Sequence, residues 1–350
     1  MASFRAGVAG AGSISRRHIS AWQAHPDVDL TCIADISEQA ANSRADEFGI
    51  RNRYTSLIDM FSEEYIEILS ICTWMNAHAD IAVAASEAGI AAILCEKPLA
   101  GSLEEVDRII HAAERNGTRI AVGHHHRFRG ACVKGRELVL DGAIGQPVLF
   151  YGHTTGGLLN NGTHFVDIAR YLMDDPDPAW AIGQVVRRTD RHERHDPIED
   201  LCAGIIALEN GARIQIESDM PDPAPPDGAM TLQGTEGTLV VTSKGARLLN
   251  GAGGKDVDAA QETDVGILQA AELVDWLEGR VNEHRNAIRT NRGTIEILMG
   301  IYESARIRDT VTFPLASGPS PLHRMIDSGD LPVTVPGKYD IRIKPQPDQD

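Results

Sequence analysis

The chain has 350 residues, enough for about two domains at roughly 100–200 residues each, and an ordinary globular composition, 42% hydrophobic and 24% charged. The formal net charge of −17 and a pI near 5.2 argue against a nucleic acid or an anionic membrane as partner, because both need a basic footprint. A small anionic substrate held by a few local cations is not excluded.

No run approaches about 18 consecutive apolar residues, and the N-terminus leads into a Gly-rich turn, not an apolar signal core. The five scattered cysteines, without C-x-x-C spacing, read as small buried hydrophobes in a reducing cytosol.

Phe4–Ala9 is a short apolar strand that runs into Gly10-Ala11-Gly12, and Ser13–His25 reads as a helix. Asp29–Ala34 is a second strand, and Ser37–Phe48 a helix capped by Ser37. Ile66–Cys72, Ala91–Cys95 and Arg119–Val122 are further strands. Between them lie the helices Ala77–Ala88, stopped by Gly89, and Ser102–Arg115, with Ser102 and Glu105 at capping-box spacing. This alternation gives βαβ units and a Rossmann-type α/β domain with a parallel sheet over residues 1–123.

The pattern then changes. Helices over Ala131–Leu140 and Thr163–Met173 accompany alternating runs at Val148–His153, Ala179–Arg188, Leu201–Leu208, Arg213–Ser218, Ala229–Gln233 and Thr238–Thr242. Asn210-Gly211 is a hairpin turn signal. Ile267–Arg280 and Gly293–Arg308 look helical. The expectation is an α+β domain over residues 124–316 with a large, mainly antiparallel open sheet. Residues 317–350, rich in Pro, Gly and Asp, read as an extended tail.

Gly10-Ala11-Gly12-Ser13-Ile14-Ser15 follows a strand and opens a helix, the context of a dinucleotide fingerprint. Gly10 permits the tight turn. Gly12 lets backbone approach a pyrophosphate seated on the helix N-terminus, with Ser13 and Ile14 beside it. Ser15 replaces the third Gly or Ala, so looser helix–strand packing is expected there. Asp35, 23 residues after Gly12 at the end of the second strand, suits the ribose hydroxyls and repels a 2′-phosphate. The expected cofactor is NAD.

Lysine is scarce, six against 27 arginines, and Lys97 is the only one before residue 134. It follows a buried strand in Cys95-Glu96-Lys97-Pro98, at the end that faces a ligand crevice. Glu96-Lys97-Pro98, with the Gly10/Gly12 turn and His18, resembles the Gfo/Idh/MocA family of sugar and cyclitol oxidoreductases. Thr73, Trp74 and His78 resemble that family's T-P-N-x-x-H, with Trp74 and Met75 replacing Pro and Asn. Val122-Gly123…Arg127-Phe128, Gly142-x-x-Gly145 and Gly234-Thr235-Glu236-Gly237-Thr238 resemble further family segments.

Asn160-Asn161-Gly162-Thr163-His164, then Asp167, resembles the second-domain signature, with Asn160 where aspartate is common. The resemblance implies His164 as acid/base and Lys97 as its partner at the substrate hydroxyl, with Asn160 hydrogen-bonding a hydroxyl or orienting the ring. It also implies Glu96, Lys97, Thr73, Trp74 and His78 around the cofactor, and His124 and Arg127 at the substrate.

The residues call for no metal. His124-His125-His126 points its side chains in different directions, and His192 with His195 reads as a solvated loop. Glu199 and Asp200 read as a strand edge.

The function expected is hydride transfer between a sugar or cyclitol hydroxyl carbon and nicotinamide C4 in the cytoplasm, and the resemblance implies a homodimer or homotetramer joined through the second sheet. Two alternatives stand beside it: an NAD-dependent glycosidase working by transient oxidation and elimination, and a non-catalytic nucleotide-dependent regulator.

Overall fold

The computed structural model describes residues 4–194, 196–220, 230–242, 245–260, 263–337 and 340–341. His195, Ala229 and residues 338–339 and 342–350 of the expected tail lie outside the described residues. The chain forms two compact units. One holds residues 1–100, 105–128 and 261–291, the other 101–104, 129–260 and 292–350.

In the first unit, β1 (Phe4–Ala9) leads to α1 (Ser15–Ala24), β2 (Val28–Ala34), α2 (Glu38–Phe48), β3 (Asn52–Tyr54), α3 (Leu57–Glu63), β4 (Ile68–Ile71), α4 (Met75–Glu87), β5 (Ala92–Cys95), α5 (Leu103–Asn116) and β6 (Arg119–Val122). The six strands are all parallel, in the order β3-β2-β1-β4-β5-β6. β4 and β5 are buried at every position, as a sheet covered on both faces requires. The strand order reverses between β1 and β4, and ligands bind outside the carboxyl ends of the strands at such a point.

The second unit carries α6 (Gly130–Leu140), β7 (Pro147–Thr154), α7 (Thr163–Leu172), β8 (Pro178–Val186), the short pair β9 (His192–Glu193) and β10 (Asp196–Pro197), β11 (Leu201–Leu208), β12 (Arg213–Ser218), β13 (Met230–Gly234), β14 (Gly237–Val241), β15 (Ala246–Asn250) and β16 (Gly253–Val257). The helix α8 (Val265–Leu277) follows, then α9 (Ile288–Ile307), β17 (Val311–Thr312) and α10 (Pro321–Asp327).

The nine-stranded sheet runs β16-β15-β14-β13-β7-β12-β11-β8-β17 and is antiparallel except for the β7–β12 pair. One face is helix-covered: a Cβ on Gly183 or Gly204 would strike Ile301 of α9, and one on Gly152 would strike Phe165 of α7.

Several expectations need correction. Residues 124–128 and 263–291 also pack with the first unit, because Ala270, Leu273 and Val274 of α8 join the core of the parallel sheet. The segment from Ser317 is not uniformly extended, since Pro321 opens α10, whose Leu322 and Met325 are buried. β3, α3, β15 and β16 were not foreseen. β3 has three residues, none of them buried, and β16 is nearly all exposed, so neither carries an apolar alternation.

Candidate active site

The first unit builds a nucleotide cradle at the ends of β1, β2 and β4. Gly10 has φ +97°, and a Cβ there would lie 2.8 Å from the Cys72 carbonyl, so only glycine fits. Gly12 and Ser13 are exposed at the head of α1, and Ile14 is its N-cap residue. Ser15 corrects the expected loose packing: it is fully buried, and its hydroxyl donates to the Gly12 carbonyl at 2.7 Å.

Asp35 ties the turn to β2. One carboxylate oxygen accepts from the Ala11 amide at 2.7 Å, the other from the Ser37 amide at 2.8 Å. Arg44 of α2, missed from sequence, donates to the Ala11 and Gly12 carbonyls at 3.1 Å each. The Thr73 hydroxyl is buried with no hydrogen-bond partner among the described residues, and Trp74 beside it is 43% exposed. Exposed amides at a helix N-terminus, a turn that admits only glycine and a carboxylate at the end of β2 fit a dinucleotide without a 2′-phosphate.

Glu96 and Lys97 follow β5. Glu96 is buried; its carboxylate meets His18 Nε2 at 2.9 Å and accepts from the Lys97 amide at 3.1 Å. Desolvation pushes this carboxyl up, but the His18 hydrogen bond and the charges of His18 and Lys97 outweigh it and bring the pKa down to about 2. Glu96 is therefore an anion held beneath Lys97. The glycine at 123 allows this approach, since a Cβ there would lie 3.1 Å from the Glu96 carboxyl.

Three residues expected at the cofactor or substrate, His78, His124 and Arg127, are buried in the first unit. His78 is buried between the Pro98 carbonyl at 2.9 Å and the Thr73 carbonyl at 3.2 Å. Burial lowers its pKa despite those bonds, so it braces two loops as a neutral ring. His124 is fully buried, with Nδ1 at 2.6 Å from the Asn291 amide nitrogen. Arg127 is buried and donates to the Arg285 carbonyl at 3.2 Å.

In the second unit, β7 ends at Thr154 and a π-helical turn, Leu158–Gly162, leads into α7. Asn160 and His164 are four residues apart, so they fall on neighbouring turns. Asn160 donates to the Gly156 carbonyl at 3.2 Å, and His164 is 9% exposed.

Two carboxylates fix this turn: Asp219, which the sequence does not single out, and Glu199. Asp219 accepts from the Gly156 and Gly157 amides at 2.8 Å each, and from Arg191 at 3.2 Å. Glu199 is fully buried, so it is not the strand-edge residue expected. It accepts from the Leu158 amide at 2.5 Å and from the Tyr302 hydroxyl at 3.0 Å. Burial raises its pKa. No signal in the sequence marks either acid, since each is far along the chain from the turn it holds.

His192 places Nδ1 3.2 Å from the Asp190 carbonyl. The cysteines are all free and buried; burial holds the thiols of Cys32 and Cys132 up near 12. No helix among the described residues is long and apolar enough to cross a membrane.

Comparison with known proteins agrees with this geometry. A family described as "Oxidoreductase family, NAD-binding Rossmann fold" matches residues 4–124, and the "GFO/IDH/MocA C-terminal domain" matches residues 151–240. The chain is 27% identical over 289 residues to inositol 2-dehydrogenase 3 of Saccharopolyspora erythraea, covering 78% of this chain and 84% of that one. It is 26% identical over 259 residues to D-apiose dehydrogenase of Paraburkholderia graminis, covering 67% of each.

An oxidoreductase from Agrobacterium radiobacter, solved with NAD+, L-tartaric acid and magnesium, shares the fold with a TM-score of 0.78 at 19% identity, over 89% of this chain and 98% of that one. The chain belongs to the Gfo/Idh/MocA family of NAD-binding oxidoreductases.

Proposed function

We propose that this protein is an NAD-dependent dehydrogenase of a sugar or cyclitol hydroxyl, with His164 as proton acceptor and Lys97 as the group that bonds the reacting oxygen. The observation that carries this reading is Lys97 at the carboxyl end of β5, braced by an ionised, buried Glu96. The relatives named for inositol and D-apiose support the substrate class.

Gly10, Gly12, Ser13, Ile14, Asp35, Thr73 and Trp74 would hold NAD. When bound, NAD supplies the hydride acceptor. His164 takes the hydroxyl proton as the carbon is oxidised, and the Lys97 ammonium stabilises the negative charge that develops on that oxygen. Asn160 orients the substrate or the imidazole ring. Neither alternative reading has support, since these relatives carry dehydrogenase names.

The test is a panel of sugars and cyclitols with NAD, read at the NADH absorbance band. His164→Ala and Lys97→Ala should each lower kcat by roughly 10²–10⁴-fold. A folded variant with near wild-type kcat removes that residue's role. Turnover of glycosides alone, without net NADH, favours the glycosidase.

We also infer a homodimer or homotetramer. Trp180, Ile182 and Ile205 are 37%, 47% and 39% exposed on the sheet face opposite α9. Light scattering should give a mass above the 37.9 kDa of one chain.

A further inference from the structure

The corner of the second unit beside the Asn160–His164 turn holds a charge that its own acids do not neutralise. Arg187 follows β8 and is 9% exposed. Its Nε is buried without a hydrogen-bond partner, and no carboxylate among the described residues pairs with its guanidinium. The neighbouring acids are committed elsewhere. Asp200 accepts from the Arg188 and Thr189 amides and the Thr189 hydroxyl. Asp219 and Glu199 hold the Gly156–Leu158 amides. A guanidinium cannot shed its charge, so burying one without an anion is costly.

Its place in the fold points to the substrate. Strand register puts Thr154, Ser218, Cys202 and Val185 in one row across β7, β12, β11 and β8. That row lies at the end of the sheet where β7 leads into the Asn160–His164 turn. Arg187 is two residues beyond Val185, in step with Gly183, whose Cβ position faces α9. α7, whose second residue is His164, packs on this same face through Phe165. Arg187 and His164 therefore share one face and one end of the sheet. Three strand spacings, about 14 Å, separate β7 from β8, a distance within the combined reach of two side chains and a hexose-sized molecule.

We propose that Arg187 is an anion subsite: the sugar or polyol oxidised by this enzyme carries a carboxylate or phosphate, and the Arg187 guanidinium pairs with it. The inference rests on the dehydrogenase reading for the rest of the molecule. A planar guanidinium takes either anion through two parallel hydrogen bonds.

Aldonates, uronates and sugar phosphates are each assayed with NAD against the neutral polyol or sugar of the same carbon skeleton. The wild type should prefer one anionic class by roughly tenfold or more in kcat/KM, and which class it prefers separates carboxylate from phosphate. In Arg187→Gln that ratio should fall by roughly 10–100-fold, mainly through KM. An unchanged ratio, or a wild type that prefers neutral substrates, overturns the proposal.

Binding is read separately from turnover, by thermal unfolding of the NAD-loaded protein with D-gluconate or inorganic phosphate. One of them should raise the Tm of the wild type and not that of Arg187→Gln. If the panel yields no NADH, the dehydrogenase reading fails while this measurement still decides the anion site. Without ligand, Arg187→Met, which keeps the apolar stem, should raise Tm by removing an unpaired buried charge. A lower Tm, or an altered mass in light scattering, makes Arg187 a structural or subunit contact and overturns the proposal.

Discussion

His18 Nε2 lies 2.9 Å from Glu96 Oε1, and both side chains are buried under the segment that carries Lys97. The other ring nitrogen of His18 meets Ser70 Oγ at 2.9 Å, and Ser70 Oγ accepts from Trp22 Nε1 at 2.8 Å. Helix α1 is thus tied directly to the residue before the lysine and, through Ser70, to β4.

Glu96 should make stability depend on pH. Its folded pKa, about 2, is below the ordinary 4.5. A depressed carboxyl adds stability above its unfolded value and loses it as pH falls towards the folded value. The gap corresponds to about 3 kcal/mol, most of it lost by about pH 3. Urea unfolding of wild type and Glu96→Gln from pH 3 to 7 checks this. The wild-type advantage should be flat above about pH 5 and shrink below it. A difference independent of pH contradicts the ionised Glu96.

Asp35 should set cofactor choice. A 2′-phosphate would meet a carboxylate that already accepts from the Ala11 and Ser37 amides. Wild type should favour NAD in kcat/KM, and Asp35→Ser should narrow its preference over NADP by roughly tenfold, near 1.4 kcal/mol. The variant should also unfold at lower temperature, because two loop amides lose their acceptor. A wild type that prefers NADP refutes the assignment.

The parts of the site legible in the sequence were those written in consecutive residues. The Gly10–Gly12 turn, Asp35 and Glu96-Lys97-Pro98 each sit at a strand end that apolar runs locate. Pairs distant in sequence were not legible. His18 and Glu96 are 78 residues apart, Leu158 and Glu199 are 41, and Gly156 and Asp219 are 63, and no local pattern announces such a bond. The sequence shows α8 as a helix but not which sheet it covers, because an apolar stripe fits any apolar face. Nor could the sequence show that His124 and Arg127, which the resemblance puts at the substrate, would be buried beside Asn291 and Arg285. Burial is a tertiary outcome that a motif does not encode.

Glu199 should act by holding the turn before His164. Gln at this position can still accept from the Leu158 amide and donate to the Tyr302 oxygen; Ala can do neither. Glu199→Ala should lose about 1–3 kcal/mol, as buried partners go unsatisfied, and kcat should fall with it. Glu199→Gln should restore both. Burial raises the Glu199 pKa, so ionising it as pH rises from the ordinary carboxylate range costs stability. Glu199→Gln should therefore gain on wild type between pH 4 and 7 in urea unfolding. Equal loss in the Gln and Ala variants rejects the positioning role.

Asn160 stands where the family commonly has aspartate, and its amide donates to the Gly156 carbonyl at 3.2 Å. In Asn160→Asp that donor becomes an acceptor facing a carbonyl oxygen, so the carboxylate must turn away and the turn loses a bond. Tm should fall by a few degrees, the equivalent of about 1 kcal/mol. A carboxylate one turn before His164 would also favour the protonated imidazole. The base would then become available only at higher pH, and the kcat plateau for alcohol oxidation should move up in pH relative to wild type. If Asn160 instead serves only to bond a substrate hydroxyl, KM and substrate preference change and the plateau stays in place. Profiles of kcat against pH for both proteins on one substrate separate the two roles. A plateau that moves to lower pH in Asn160→Asp rejects the electrostatic account, because an added anion cannot make a neighbouring imidazole easier to deprotonate.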